Sequence, residues 1–388
     1  MGMNRTLNNL PTFQAVSCEL GVSWLQERIV AIALYVSEAA TIILVIFVTN
    51  RLGNRKTILG ALYASIFFTL HCAVVPGYWT LLLSRVMIGF CVGLNVHPIG
   101  VFLSQGASNR RVYETGTLAW LFGYGLACVW VGVLAYLALD KLDWRWFIIV
   151  TSLPVFIPPI VMLHKVFTVD FDPKETDTVS NEKKQGTKDR MFWVNLFKIS
   201  AAYFLVMVLK FGWILLTPNL LRTNNANSDQ VDSNDPCAHV VKDEQFLYLA
   251  MSNVGLVLSP LLAYLIKDRI SFFWKQLLTA LVALSGYILL ALTAGHQSAT
   301  MVTVIASIEN LVIDVALCDF CTLQYDPDLF GLDNLPLASN IIGAIATIGA
   351  VIGSSFASFF PVQHAVIIFL VTCVLYLLLI LFMEFNKV

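Results

Sequence analysis

Six ionisable residues stand inside otherwise apolar stretches of this chain: Glu38, Arg85, Lys210, Glu309, Asp314 and Asp319. Carboxylates and cations held away from water can pair with one another, carry a proton, or clasp a small charged molecule. Facing lipid, each would cost about 2.5–3.5 kcal/mol, so all six would cost on the order of 15–20 kcal/mol. Most of them must therefore face the protein interior or each other. Arg85 is followed at i+4 and i+8 by Gly89 and Gly93, which puts one cation and two missing side chains on one helical face. A neighbouring backbone can approach the glycines, and the guanidinium needs a partner within the protein. The same stretch, Trp79 to Gln105, carries Asn95 and His97, and Pro98 is expected to loosen its helix and free a carbonyl. A local hydrogen bond explains a lone histidine there as readily as contact with a solute or proton does.

Each of these residues has a plainer alternative. Arg85 lies about two turns inside its span and Lys210 stands shortly before Thr217, so either can snorkel to a membrane surface. Asp314 sits nearest the middle of its span and has the least access to water. Glu309 precedes it by five residues, so the two point about 140° apart and cannot both line one narrow stripe. Asp319 lies near a helix end, where water can meet it. Glu38 is mid-span, and an interhelical hydrogen bond is the alternative to a place on a solute or proton pathway. Gly349 and Gly353 make a GxxxG spacing suited to close helix packing. Phe211 and Trp213 can face a solute or anchor at an interface.

Enzyme signatures are missing from the sequence. There is no HExxH, no phosphate loop and no nucleophile elbow, and the six histidines lack ligand spacing, so neither a cofactor nor a metal is expected. Eight cysteines lie mostly in apolar spans, where they act as small hydrophobes. Cys318 and Cys321 form a CxxC without a redox or zinc context, while Cys18 and Cys237 fall in loops on one side and can form a disulfide.

The elements that must position these groups are membrane spans. Apolar residues make up 58% of the 388 and charged ones 13%, an excess no soluble domain of this length needs, and a net charge of −1 argues against a nucleic-acid partner. The partners implied are the lipid bilayer and a small-molecule solute. Hydropathy predicts an all-α, polytopic chain of about 11 spans, near 29–49, 57–76, 79–104, 115–138, 146–163, 192–216, 246–266, 276–294, 300–323, 336–360 and 363–383. Lysines and arginines collect in the loops beginning at Asn50, Gln105, His164, Lys267 and Glu384, which puts the N-terminus outside or lumenal and the C-terminus in the cytoplasm. The sequon at Asn4 falls on the outer side and is a candidate glycosylation site. The polar stretch within 166–191 reads as a cytoplasmic linker joining a first bundle of five spans, 1–165, to a second of six, 192–388.

Several stretches then resemble the major facilitator superfamily, and within it the branch of organic cation/anion transporters and synaptic vesicle glycoprotein 2-like proteins. Asn50-Arg51-Leu52-Gly53-Asn54-Arg55-Lys56 is similar to the family's Asp-Arg-x-Gly-Arg-Arg loop, and Arg85-xxx-Gly89-xxx-Gly93 to its helix-four motif. Asp143-Trp144-Arg145 resembles the Gly-Trp-Arg that opens helix six. The run from Cys237 to Phe246, and then Asp268-Arg269, resembles the helix seven-to-eight region of the vesicle-protein branch. The resemblance implies a two-bundle fold lacking the family's first helix. It also implies a secondary transporter of a small organic solute, charged or zwitterionic, by alternating access, with a coupled proton or ion, in the plasma membrane or a vesicle. It places Arg85, Lys210 and the acids of 300–323 on helices that line a central cavity, and Asn50, Arg51, Gly53, Arg55, Asp268 and Arg269 in gating loops. Four departures stand out: Asn50, Gln105 and Gln324 where the family favours acids, and Ser271-Phe272 in the second loop motif. These losses leave a rival reading, a transport-inactive protein of the same fold acting as a binding or trafficking partner.

Overall fold

The computed structural model describes residues 19–106, 110–138, 143–152, 185–226, 243–293, 298–331 and 334–382. Asn4, Cys18, Cys237 and most of the linker lie outside them, as do the side chains of His97 and Gln105. Within them the helices are α1 (Trp24–Cys72), α2 (Tyr78–Gly106), α3 (Arg110–Ala138), α4 (Gln185–Ala226), α5 (Asp243–Ser252), α6 (Val254–Ile266), α7 (Phe272–Leu292), α8 (Ala299–Leu323), α9 (Pro327–Phe330), α10 (Leu335–Phe359) and α11 (Val362–Phe382). A further helical run covers 144–152. No strand occurs among the described residues, and the fold is all-α.

Eight described helical stretches, from Tyr78–Val96 to Val362–Phe382, are long and apolar enough to cross a bilayer. The expected spans 29–49 and 57–76 fall on α1, while 146–163 runs beyond the described residues. α1 starts at a capping box, in which the Ser23 hydroxyl accepts from Gln26 N and the Gln26 side chain accepts from Ser23 N at 2.9 Å. Its helical backbone breaks inside the predicted loop motif, at Gly53, where φ is 75° and ψ 156°. Only glycine adopts that conformation without strain, so this position divides α1 into two spans.

The glycines set how closely the helices approach. On α2, a Cβ at Gly89 would collide with the Leu34 carbonyl and Ser37 hydroxyl, and one at Gly93 would meet the Thr41 side chain. On α10, Gly349 and Gly353 lie against the Phe204 and Val208 carbonyls of α4. Helices before residue 153 meet helices after 184 along two seams, α3 against α5 and α6, and α1 against α10. In the first, Gly125 packs on the Leu256 carbonyl and Gly132 on Ala250.

The Asp143-Trp144-Arg145 motif fastens the end of this assembly. Arg145 donates to Glu19 at 2.8 Å and to the Ala73 and Val75 carbonyls at 3.1 and 3.3 Å, tying the segment before α1 to the turn between α1 and α2. Trp144 Nε1 also donates to Glu19. The Arg145 hydrogen bond holds the Glu19 carboxyl below its usual range.

Candidate functional site

Helices α4 and α8 run antiparallel along a shared face. Three residues of α4 spaced by seven and three carry the polar contacts across it: Tyr203 to Cys321 at 3.3 Å, Lys210 to Asp314, and Trp213 Nε1 to the Ala306 carbonyl at 3.4 Å. That spacing is one helical stripe, so an apolar face carries a single cation at its centre. Lys210 is 1% exposed and Asp314 5%, and their Nζ and Oδ1 atoms stand 2.5 Å apart. Neither side chain snorkels. Burial makes the pair interdependent, because removing either partner would leave an uncompensated charge in a dry interior.

Asn310, one turn before Asp314, completes the arrangement. Its Oδ1 accepts from Lys210 Nζ at 3.4 Å, and its Nδ2 donates to the Ser252 carbonyl at 2.9 Å. Ser252 is the last residue of α5, where the span 246–266 breaks at Asn253 before resuming as α6. Past the break, Leu256 N bonds to the Asn253 carbonyl at 3.0 Å, an i−3 bond in place of the helical i−4. Ser252, Asn253 and Asn310 line a narrow, partly open cleft whose enclosed room is about 20 Å³, close to that of one water. Tyr124, Cys128 and Gly132 of α3 and Ile214 and Thr217 of α4 line it as well, so residues from before and after the linker share its walls. Cys128 feels the charges of both Lys210 and Asp314, which places the pair against α3.

The other acids of α8 go elsewhere. Glu309 is 1% exposed and turned away from Asp314, its Oε1 set against Gly286 of α7, with Tyr287 and Cys373 close by. Its Oε2 has no hydrogen-bond partner among the described residues. Asp319, expected to reach water, is instead held between Lys275 Nζ at 2.6 Å and Gln276 Nε2 at 2.9 Å, and Gln276 accepts from Tyr376.

Arg85 stands apart from the Lys210 pair. It is buried next to Cys72 and Tyr35, and the Tyr35 ring meets Phe211 edge-on at 5.2 Å, one residue from Lys210. Glu38 is buried on α1, and its backbone carbonyl is part of the surface that receives Gly93. Asn95 is buried too, and its Nδ2 donates to the Cys91 carbonyl of its own helix at 3.2 Å. α2 continues through Pro98, and the His97 side chain lies outside the described residues. Trp213 is fully buried and not at an interface. Of the loop-motif residues, Asn50, Arg51 and Gly53 are exposed and Arg55 is half-buried, while Asp268 and Arg269 are exposed in the turn between α6 and α7.

The family model of the Major Facilitator Superfamily matches residues 1–323, a stretch that ends with α8 and includes Lys210, Asn310 and Asp314. The chain belongs to the Major Facilitator Superfamily. It is an integral, multi-pass membrane transporter of that superfamily. A comparison with curated proteins returns no match.

In this transporter an ion pair crosses the seam between α3 and α6. Lys267, directly after α6, contacts Glu114 near the start of α3, and the Glu114 side chain is 8% exposed. Tyr124, the nearest cleft residue of α3, lies ten residues further along, about 15 Å up the helix. The pair thus closes one end of the seam while the cleft occupies the other part. Sequence reasoning treated Lys267 as a loop charge marking topology and overlooked Glu114. Asn310 was missed as well, although its i+4 spacing to Asp314 puts both on one helical face. The Gly125, Cys128, Gly132 stripe on α3 carries the same kind of signal.

Proposed function

We propose that this transporter moves a small organic solute, anionic or zwitterionic, by alternating access. Residues 1–165 and 192–388 form two bundles that rock about the cleft, joined by the linker 166–191. A solute carboxylate or phosphate competes for Lys210, and a solute ammonium competes for Asp314. Separating the pair without a solute leaves two bare charges, so the site changes partners only when a matching ligand arrives. The observation that carries this reading is the 2.5 Å Lys210–Asp314 pair, buried beside a cleft that both sides of the seam line. The likeness of the sequence to organic-ion transporters supports the same solute class. Asp314 can take up a coupled proton as the bundles rock, while Glu309 packs against Gly286.

The lysine and arginine distribution supports a cytoplasmic placement for the Glu114–Lys267 end, so the pair latches the inner side while the cleft serves the outer. The lost acids at Asn50, Gln105 and Gln324 then have a local substitute in Glu114. Uptake by purified protein in reconstituted vesicles, screened across organic anions, cations and zwitterions, tests the reading. At least one zwitterion or anion should accumulate, and Lys210→Met and Asp314→Asn should each lower its uptake tenfold or more. Full uptake by both variants overturns it.

A further inference from the structure

Asn310 hydrogen-bonds both the buried ion pair and the break in the span 246–266. Its carboxamide faces two ways: Oδ1 accepts a hydrogen bond from Lys210 Nζ at 3.4 Å, and Nδ2 donates one to the Ser252 carbonyl at 2.9 Å. The Ser252 carbonyl sits at the break, where the helical ladder steps to an i−3 bond. A buried carbonyl at such a point needs a donor, and Asn310 Nδ2 supplies it. The two pieces flanking the break are also what α3 packs against, through Gly132 on Ala250 before it and Gly125 on Leu256 after it. On its far side Gly255 packs against the Ser307 carbonyl of α8. The break is therefore wedged between α3 and α8, with one side chain linking it to Lys210.

We infer that Asn310 is a positioning residue that reports the state of the Lys210–Asp314 pair to the break at Asn253, and through it to the α3 seam. This deepens the proposed function and rests on that pair being the solute site. While Lys210 is held by Asp314, its ammonium fixes the carboxamide plane and Nδ2 stays on Ser252. When a solute draws Lys210 away, Oδ1 loses its donor, the carboxamide is free to rotate, and the Ser252 carbonyl is released. The α5 and α6 pieces then change their angle, and the glycine contacts with α3 shift with them. Occupancy of the site and movement of the seam become one event.

The test uses full-length protein in lipid nanodiscs, lacking Cys18 and Cys237, with spin labels at Leu126→Cys on α3 and Met251→Cys on α5, both exposed. Lys210→Met combined with Asp314→Asn removes the donor to Asn310 without stranding a charge, so no solute is needed. It should add a second population to the label-to-label distance. Asn310→Ala should abolish that response, and Asn310→Leu, which keeps the volume, should abolish it too. A shift of the same size with and without the Asn310 side chain overturns the inference, as does no shift at all. Uptake by Asp314→Asn is measured alongside: if it persists at the parent level, the solute-site reading fails, while the label-to-label distances still decide the coupling by themselves.

Discussion

The two faces of α8 treat a buried acid in opposite ways. Toward α4 and α3, Asp314 meets a cation at 2.5 Å and an open cleft lies alongside. Toward α7 and α11, Glu309 meets Gly286, Tyr287 and Cys373, and no ion pair to it occurs among the described residues. Both acids are almost wholly buried, at 5% and 1% exposure, so burial does not separate them. What separates them is the neighbour. On the proposed reading, a cation opposite a carboxylate makes a site whose two halves can each be claimed by a ligand, whereas a carboxyl filling a glycine notch is a packing element.

That contrast is sharpest in thermal unfolding of the detergent-solubilised protein. Lys210→Met should cost about 3–5 kcal/mol, because it strands Asp314 in the interior, and adding Asp314→Asn to it should recover most of the loss. Equal losses in the single and double variants would show that the pair contributes through shape alone. Glu309→Gln keeps the size and shape of the side chain in that notch, so its cost should stay within about 1 kcal/mol. A loss matching that of Lys210→Met would erase the distinction between the faces. The smallest effect belongs to Glu19, outside the spans. Its carboxyl is held below the usual range by Arg145, so its contribution is present above the ordinary carboxylate range and is lost as pH falls through the lowered value. The thermal midpoint should therefore fall slightly more for the parent than for Glu19→Gln on acidification. Parallel pH profiles would remove the contact from the stability of that end.

The broad architecture was legible in the sequence because apolar length is a one-dimensional signal. The expected spans 79–104, 115–138, 276–294 and 300–323 overlie α2, α3, α7 and α8 closely. The pivot at Gly53 was also legible, as a glycine inside a basic loop motif. The pairing of charges was not, since it depends on which helices become neighbours. Six charges could be placed inside, but Lys210 and Asp314 are 104 positions apart, and nothing local says that Arg85 should stand elsewhere. Lys275 and Lys267 looked like topology markers at helix ends, yet one holds Asp319 and the other Glu114. The break at Asn253 was hidden for a different reason: Gly255 and Pro260 both come after it, inside the next helix, so the run from Phe246 to Ile266 reads as one span.

The most direct measurement is thiol labelling of a cleft residue by a membrane-impermeant reagent, applied from each face of oriented vesicles. Ile214→Cys, in a chain lacking Cys18, Cys128 and Cys237, lies half-buried on the cleft wall. It should react from one face in the parent, and from the opposite face as well once Lys267→Met opens the Glu114 end of the seam. Labelling that stays confined to the same face in both proteins, or that is absent from both faces, would contradict a cleft alternately opened by two moving bundles.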